Sequence, residues 1–179
     1  MSDDQAIVQQ VLADQPGAFE RLVSQHERLV WHIVLRMVGD ESDASDLAQE
    51  VFLRVFRKLA QYRFDASLST WIGRIAYTIA LRFLERRRPD IEPFDDTVTP
   101  SEQADPERAL EISDAQSLVA IALATVAPVP RTIVSLYHLQ GFGIDEIAEV
   151  VDLPSGTVKS HLFRARNRMR AALVREEWS

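Results

Sequence analysis

Cysteine is absent from this chain of 179 residues, which excludes disulfides and thiolate metal sites and makes a reducing cytoplasm its expected setting. No stretch approaches the roughly 20 apolar residues that span a bilayer. The N-terminal segment carries Asp3, Asp4 and Asp14 without an apolar run, so no secretory signal is expected there. Glycine is scarce, with six in all, and none sits in a phosphate-cradling loop. The four histidines, His26, His32, His138 and His161, lack metal-ligand spacing. Asp46 and Glu50 share a helical side, but carboxylates at i, i+4 on a surface helix are ordinarily just solvated. No catalytic residue, metal or cofactor is expected.

What is present is charge, unevenly placed. The formal net charge is −7. Residues 1–88 carry twelve acids and twelve bases, and residues 113–179 carry seven of each. The excess lies in 89–112, with eight acids against the single base Arg108. The net value therefore misleads about affinity for nucleic acid, because local fields decide it.

No window sustains strand alternation, and the periodic segments read as helices near 3–14, 17–38, 42–61, 69–88, 106–125, 130–140, 144–151 and 155–175. The expected fold is all-α: two small helical domains, 1–88 and 113–179, joined by an acidic flexible linker over 89–112. Pro16-Gly17, Gly39-Asp40, Gly141 and Gly143 punctuate the helices. Within the linker, Pro89, Pro93 and Pro100 favour an extended chain with little to bury. Its plainest reading is an ordinary tether.

Residues 144–170, IDEIAEVVDLPSGTVKSHLFRARNRMR, read as a short helix, a tight turn and a basic second helix. Ile144, Ile147, Ala148 and Val151 share one apolar face. Asp152-Leu153-Pro154 breaks that helix, and Ser155 or Thr157 is placed to cap the next. Val158, Leu162, Ala165, Met169 and Leu173 form the second helix's buried stripe, opposite Ser160, Phe163, Arg164 and Asn167, with Lys159 and Arg170 beside them. From 155 to 175 there are six bases and no acid. This matches a helix-turn-helix that lays its second helix in the DNA major groove, where an outward Phe163 can pack on thymine methyls. The plain alternative is a basic, solvated terminal helix.

In the N-terminal half, the helix at 42–61 is expected to bury Ala44, Ala48, Val51, Val55 and Leu59. Its other face shows Asp46, Gln49, Leu53, Phe56 and Arg57, and two large apolar residues there suggest a partner surface unless the first helix covers them. In the helix at 69–88, Ile72, Ile75, Ala76, Ile79 and Phe83 face the core. Trp71, Arg74, Thr78 and Arg82 run along one flank, and the helix ends in Arg86-Arg87-Arg88. Aromatic and basic residues on one ridge suit unstacked bases and phosphates. Ahead of it, Arg63-Phe64-Asp65-Ala66-Ser67 is a polar loop able to cup a single base. Against this, Trp71 could be a half-buried core aromatic, and the arginines a solvated C-terminus favoured by the helix dipole.

These segments resemble the extracytoplasmic-function sigma factors, the smallest group of the sigma-70 family. DASDLAQEVFLRVFRKL (43–59) is similar to the family's most recognisable helix, STWIGRIAYTIALRFLERRR (69–88) to its promoter-melting helix, and EIAEVVDLPSGTVKSHLFRAR (146–166) to its −35-reading helix-turn-helix. The resemblance implies a bacterial transcription initiation factor, active in stress responses, that binds core RNA polymerase and promoter DNA. It implies that Asp46, Gln49, Glu50 and Arg54 contact the clamp helices of the largest polymerase subunit, beside the outward Leu53 and Phe56. It implies that Arg63, Phe64, Asp65, Ala66 and Ser67 capture a flipped −10 base, with Trp71, Arg74, Thr78, Arg82, Arg86 and Arg87 along the single strand. Thr157, Lys159, Ser160, His161, Phe163, Arg164 and Arg166 would read or clamp the −35 duplex. The acidic linker would occupy the positively charged path that RNA later takes. Members of the family are often restrained by an anti-sigma factor; no residue here reports one.

Three positions depart from the family pattern. Thr78 stands where asparagine is usual, and so lacks an amide that can both donate to and accept from a base edge. Asp152 stands at a turn position usually held by glycine; aspartate tolerates the left-handed region at modest cost, so the turn should survive. His161 replaces a common arginine, which predicts a weaker phosphate contact at neutral pH. The main competing reading is a stand-alone helix-turn-helix regulator, which would need a dimer face or ligand domain in place of the single-strand ridge.

Overall fold

A computed structural model describes residues 3–95 and 114–177. All regular structure among them is helical: α1 (Asp3–Leu12), α2 (Ala18–Val38), α3 (Glu41–Lys58) with a 3₁₀ turn at Leu59–Gln61, α4 (Leu68–Arg87), α5 (Asp114–Ala124), α6 (Pro128–His138), α7 (Ile144–Val151) and α8 (Ser155–Glu177). The helix expected to begin at 106 is described only from Asp114, and most of the expected linker lies outside the described residues.

Local chemistry sets the boundaries. Gly39 ends α2 with φ 75°, donating its N–H to the Leu35 carbonyl, as a left-handed C-terminal glycine does. Asp40 then caps α3 by accepting from the Asp43 N–H at 2.9 Å. Pro128 opens α6 two residues before the expected start, because a first-turn proline loses no hydrogen bond. In α3 the buried residues are Ala44, Leu47, Val51 and Val55, so Leu47 fills the place expected of the half-buried Ala48. In α4, Leu68, Ile72, Ala76, Ile79, Ala80 and Leu84 are buried, whereas Ile75 and Phe83 are only partly covered.

The two helical units share one continuous core, with α2 packed on α6 and α4 on α7. The tightest approach is at Gly73: a Cβ there would lie 3.3 Å from a Val150 methyl and 3.4 Å from Cδ1 of Ile33. Around this notch, Gln140 and His32 hydrogen-bond through Nε2 and Nδ1 at 2.6 Å, and Arg131 donates to the Arg36 carbonyl at 3.2 Å. Arg131 also donates to the Leu123 carbonyl in the last turn of α5 and to the Val126 carbonyl in the turn that follows it. Burial, and then the nearby Arg36 charge, push its pKa down to about 10.

Candidate nucleic-acid and partner interfaces

The loop ahead of α4 is held from several sides. Ser67 accepts from the Thr70 N–H at 3.1 Å, and its hydroxyl meets that of Thr70 at 2.9 Å. Asp4, from α1, accepts from the Leu68 N–H at 2.8 Å. Tyr62 donates its hydroxyl to the Ala66 carbonyl at 2.6 Å, closing the loop across its base. Within it, Phe64 adopts φ 62°, a left-handed conformation costly for a bulky residue and kept only where the surroundings impose it. Its ring packs on Tyr62 at 4.5 Å, and Tyr62 packs in turn on Trp71 at 5.3 Å.

Tyr62 and Trp71 line a cavity of about 230 Å³ with Arg63, Asp65 and Arg74. Burial, then Asp4 and Asp65, raise the Tyr62 pKa, so the phenol keeps its proton and its donor role. Tyr62 lines this cavity, and the sequence pattern does not single it out. Its one signal is an aromatic placed directly before the polar loop.

Along α4 the expected ridge forms: Trp71 and Thr78 are half-buried, Arg74 and Arg82 exposed. The Thr78 hydroxyl donates to the Arg74 carbonyl at 2.8 Å, which occupies its one proton inside the helix. The three closing arginines divide. Arg86 and Arg87 are exposed, with Arg87 over the Phe83 ring at 5.7 Å. Arg88 folds back to the Val38 carbonyl at 2.9 Å and to Asp43 at 3.1 Å, clipping α4 to the α2–α3 corner.

The outward face of α3 forms as expected. Leu53 and Phe56 are each 57% exposed, large values for apolar side chains. Phe56 meets Phe19 edge to face at 5.0 Å. Leu53 and Gln49 border a cleft of about 710 Å³ between α2 and α3, walled by Trp31 and Phe52. Asp46 is exposed, and Glu50 pairs with Arg54 at 3.5 Å on the same helix. The first helix does not cover this surface: α1 packs on α2 and the 3₁₀ turn.

In the second unit, α7 and α8 form the helix-turn-helix. Asp152 takes φ 54° and ψ 47°, so the turn is made with aspartate in the left-handed region. Ser155 does not act as the expected cap; it stands in the first turn of α8 and donates to Asp145 at 2.7 Å, fastening α8 to α7. Thr157 is half-buried beside it, its N–H bonded to the Pro154 carbonyl. Val158, Leu162 and Ala165 are buried, while Met169 and Leu173 are only partly so.

Lys159, Ser160, Phe163, Arg164 and Asn167 face outward, and Phe163 is 67% exposed. His161 corrects the expectation of an outward phosphate contact. It is 6% exposed, because position 161 falls on the same helical side as Val158 and Ala165. Arg166 is exposed but rests on α6, donating to His138 at 3.1 Å and lying 5.3 Å from the Tyr137 ring centre. Arg168 reaches back to the Thr125 carbonyl.

Comparison with known proteins agrees with this geometry. Sigma-70 region 2 matches residues 22–89, and sigma-70 region 4 matches residues 119–169. The chain is 32% identical over 180 residues to the RNA polymerase sigma-H factor of Pseudomonas aeruginosa, covering 95% of this chain and 93% of that one. It is 31% identical over 173 residues to the ECF RNA polymerase sigma-E factor of Escherichia coli K12, covering 91% and 90%.

Among solved structures, CnrH in complex with the cytosolic domain of CnrY superposes with a TM-score of 0.69 at 22% identity, covering 96% of this chain and 97% of that one. The sigma factor RpoE of Bartonella quintana, in complex with the anti-sigma factor NepR, gives 0.65 at 18%, covering 88% and 97%. These two share the fold. No helix among the described residues is long and apolar enough to cross a membrane. With both regions in order across a connecting segment, and relatives matched over nearly their whole length, the chain belongs to the extracytoplasmic-function sigma factors of the sigma-70 family.

Proposed function

We propose that the labour of this sigma factor divides among three surfaces. Asp46, Gln49, Glu50, Leu53, Arg54 and Phe56 on α3 dock core RNA polymerase. The 63–67 loop with Tyr62, Trp71, Arg74, Thr78 and Arg82 captures the melted −10 strand, with Arg86 and Arg87 holding phosphates. Lys159, Ser160, Phe163 and Arg164 meet the −35 duplex, with Thr157 and Arg166 at its margins. The functional division follows the units 1–88 and 113–179, and 89–112 connects them. The protein works as a non-catalytic initiation factor in the bacterial cytoplasm. An anti-sigma factor is its proposed regulatory partner, as NepR is for the RpoE it was solved with.

The observation that carries this reading is the Tyr62–Trp71 ring pair beside Arg74 on a cavity of about 230 Å³. Two aromatic rings tilted against each other beside a guanidinium suit an unstacked base and its phosphate, which a binder of intact duplex has no use for. Permanganate footprinting of the open complex tests it. Trp71→Ala should reduce melted-thymine reactivity while leaving closed-complex binding near wild type, with thermal melting followed alongside to separate any loss of packing. Wild-type footprints in the variant would remove the ridge from −10 capture.

A further inference from the structure

Lys159, Phe163 and Arg166 stand at i, i+4 and i+7 and form one exposed row along α8. Arg166 is fixed on that row by the end of α6. Its Nε–H donates to Nε2 of His138 at 3.1 Å, and its guanidinium carbon lies 5.3 Å from the Tyr137 ring centre. The Tyr137 and His138 rings meet edge to face at 5.0 Å, so two consecutive residues make one platform.

Neither member of this platform is an anion. Arginine only donates, so Nε2 of His138 is the acceptor and the ring is neutral, with its proton on Nδ1. Burial, and then the Arg166 charge, lower the His138 pKa below 6.5, which keeps the ring neutral at pH 7. The Tyr137 ring attracts the cation through its quadrupole and carries no charge either. Among the described residues no carboxylate pairs with Arg166, whereas Arg54, Arg74 and Arg88 meet Glu50, Asp152 and Asp43. Arg166 is therefore oriented without being neutralised.

We infer that His138 and Tyr137 are positioning residues for −35 recognition: they hold the Arg166 guanidinium on the row of Lys159 and Phe163 with its full charge kept for a DNA phosphate. This rests on the reading proposed above, that Arg166 meets the −35 duplex. Holding the side chain in advance spares rotamer freedom that a long arginine otherwise gives up on binding. A carboxylate at position 138 would hold Arg166 too, but would offset its attraction for phosphate.

The test uses holoenzyme reconstituted from the full chain and core polymerase. Its affinity is measured at neutral pH, over a salt series, for a fluorescent duplex carrying the −35 element of a promoter it transcribes. Arg166→Ala should weaken binding and lower the salt slope by about 1. His138→Ala should lose about two- to fivefold, and His138→Gln, which keeps a neutral acceptor, should stay within about twofold of wild type. His138→Glu should bind at least as weakly as His138→Ala, with a smaller salt slope than wild type. In the Arg166→Ala background, His138→Ala should add nothing, because His138 acts through the arginine. Equal losses from His138→Ala in both backgrounds, or full affinity in His138→Ala or His138→Glu, would overturn the positioning role while leaving the −35 reading of Arg166 intact. Wild-type affinity and salt slope in Arg166→Ala would overturn that reading, and the platform's role with it.

Discussion

The carboxylate of Asp4 and the backbone N–H of Leu68 form a 2.8 Å hydrogen bond that ties α1 to the first turn of α4. Leu68 N–H is one of the donors a helix leaves open at its start, and Ser67 answers another at Thr70. Helix α1 is thereby a strut for the 63–67 loop. Asp4→Ala should cost about 1 kcal/mol, the usual worth of a capping contact, and lower the melting temperature by about 2–4 °C. Affinity for a −10 single strand should fall with it. Calorimetry and oligonucleotide titration measure both, and an unchanged melting temperature would mean that water replaces the carboxylate at no cost.

The split within Arg86-Arg87-Arg88 leads to opposite outcomes for neighbouring residues. Arg88→Ala removes a charge-assisted clip on Asp43 and the Val38 carbonyl, and should destabilise the fold by about 1–3 kcal/mol. Arg86→Ala or Arg87→Ala should leave the unfolding midpoint unchanged and lower the salt slope of holoenzyme–promoter binding by about 1 for each phosphate no longer neutralised. Denaturant unfolding and a salt series distinguish the two classes.

His32 makes closure of the two units sensitive to acid. Burial, then Arg36 and Arg28, lower its pKa from the ordinary 6.5. Its neutral ring can accept from the Gln140 amide, and protonation removes that acceptor. A depressed native value means the contribution to stability is complete above about pH 6.5 and is lost as pH falls through that value. His138, lowered by burial and then by Arg166, acts in the same direction. Unfolding free energy should therefore decline below about pH 6.5, and His32→Gln should flatten part of that decline. A variant with the wild-type pH profile would show that His32 does not titrate with folding.

On α8 the exposed and buried positions should respond differently. Lys159→Ala should weaken all promoters about equally and lower the salt slope by about 1. Arg164→Ala should cost about 1–3 kcal/mol on the preferred −35 element and little on a scrambled one. His161→Ala should reduce thermal stability and leave the salt slope alone, because that ring is packed inside. Equal losses for Lys159→Ala and Arg164→Ala on both DNAs would mean that the helix grips only backbone.

Local pattern makes much of this legible. The helices read from the sequence agree with the structure to within a few residues wherever it describes them, since amphipathic period, glycine stops and proline starts are local signals. The outward Leu53, Phe56 and Phe163 are readable for the same reason. What pattern misses depends on position around the helix or on distant contacts. Positions 47 and 48 lie about 100° apart on a helix, so an apolar pair there fits either way. His161 reads as outward only by analogy with a charged residue, although Val158 and Ala165 fix its side. Tyr62, the Arg88 clip and the Gly73–Val150 notch involve partners that no periodicity joins, and the linker pattern suggests separate units where the core is continuous.

This chain confers promoter recognition on core polymerase; in the proposed division of labour α8 reads one element and the α4 ridge opens the other. Run-off transcription with purified core polymerase on a genomic fragment library tests it most directly. Discrete start sites should appear that require the chain, share a −35 and a −10 element and lose activity when either element is scrambled, while the chain alone should show little affinity for the same duplexes. Tight duplex binding by the isolated chain, with no chain-dependent transcript from any fragment, would contradict it.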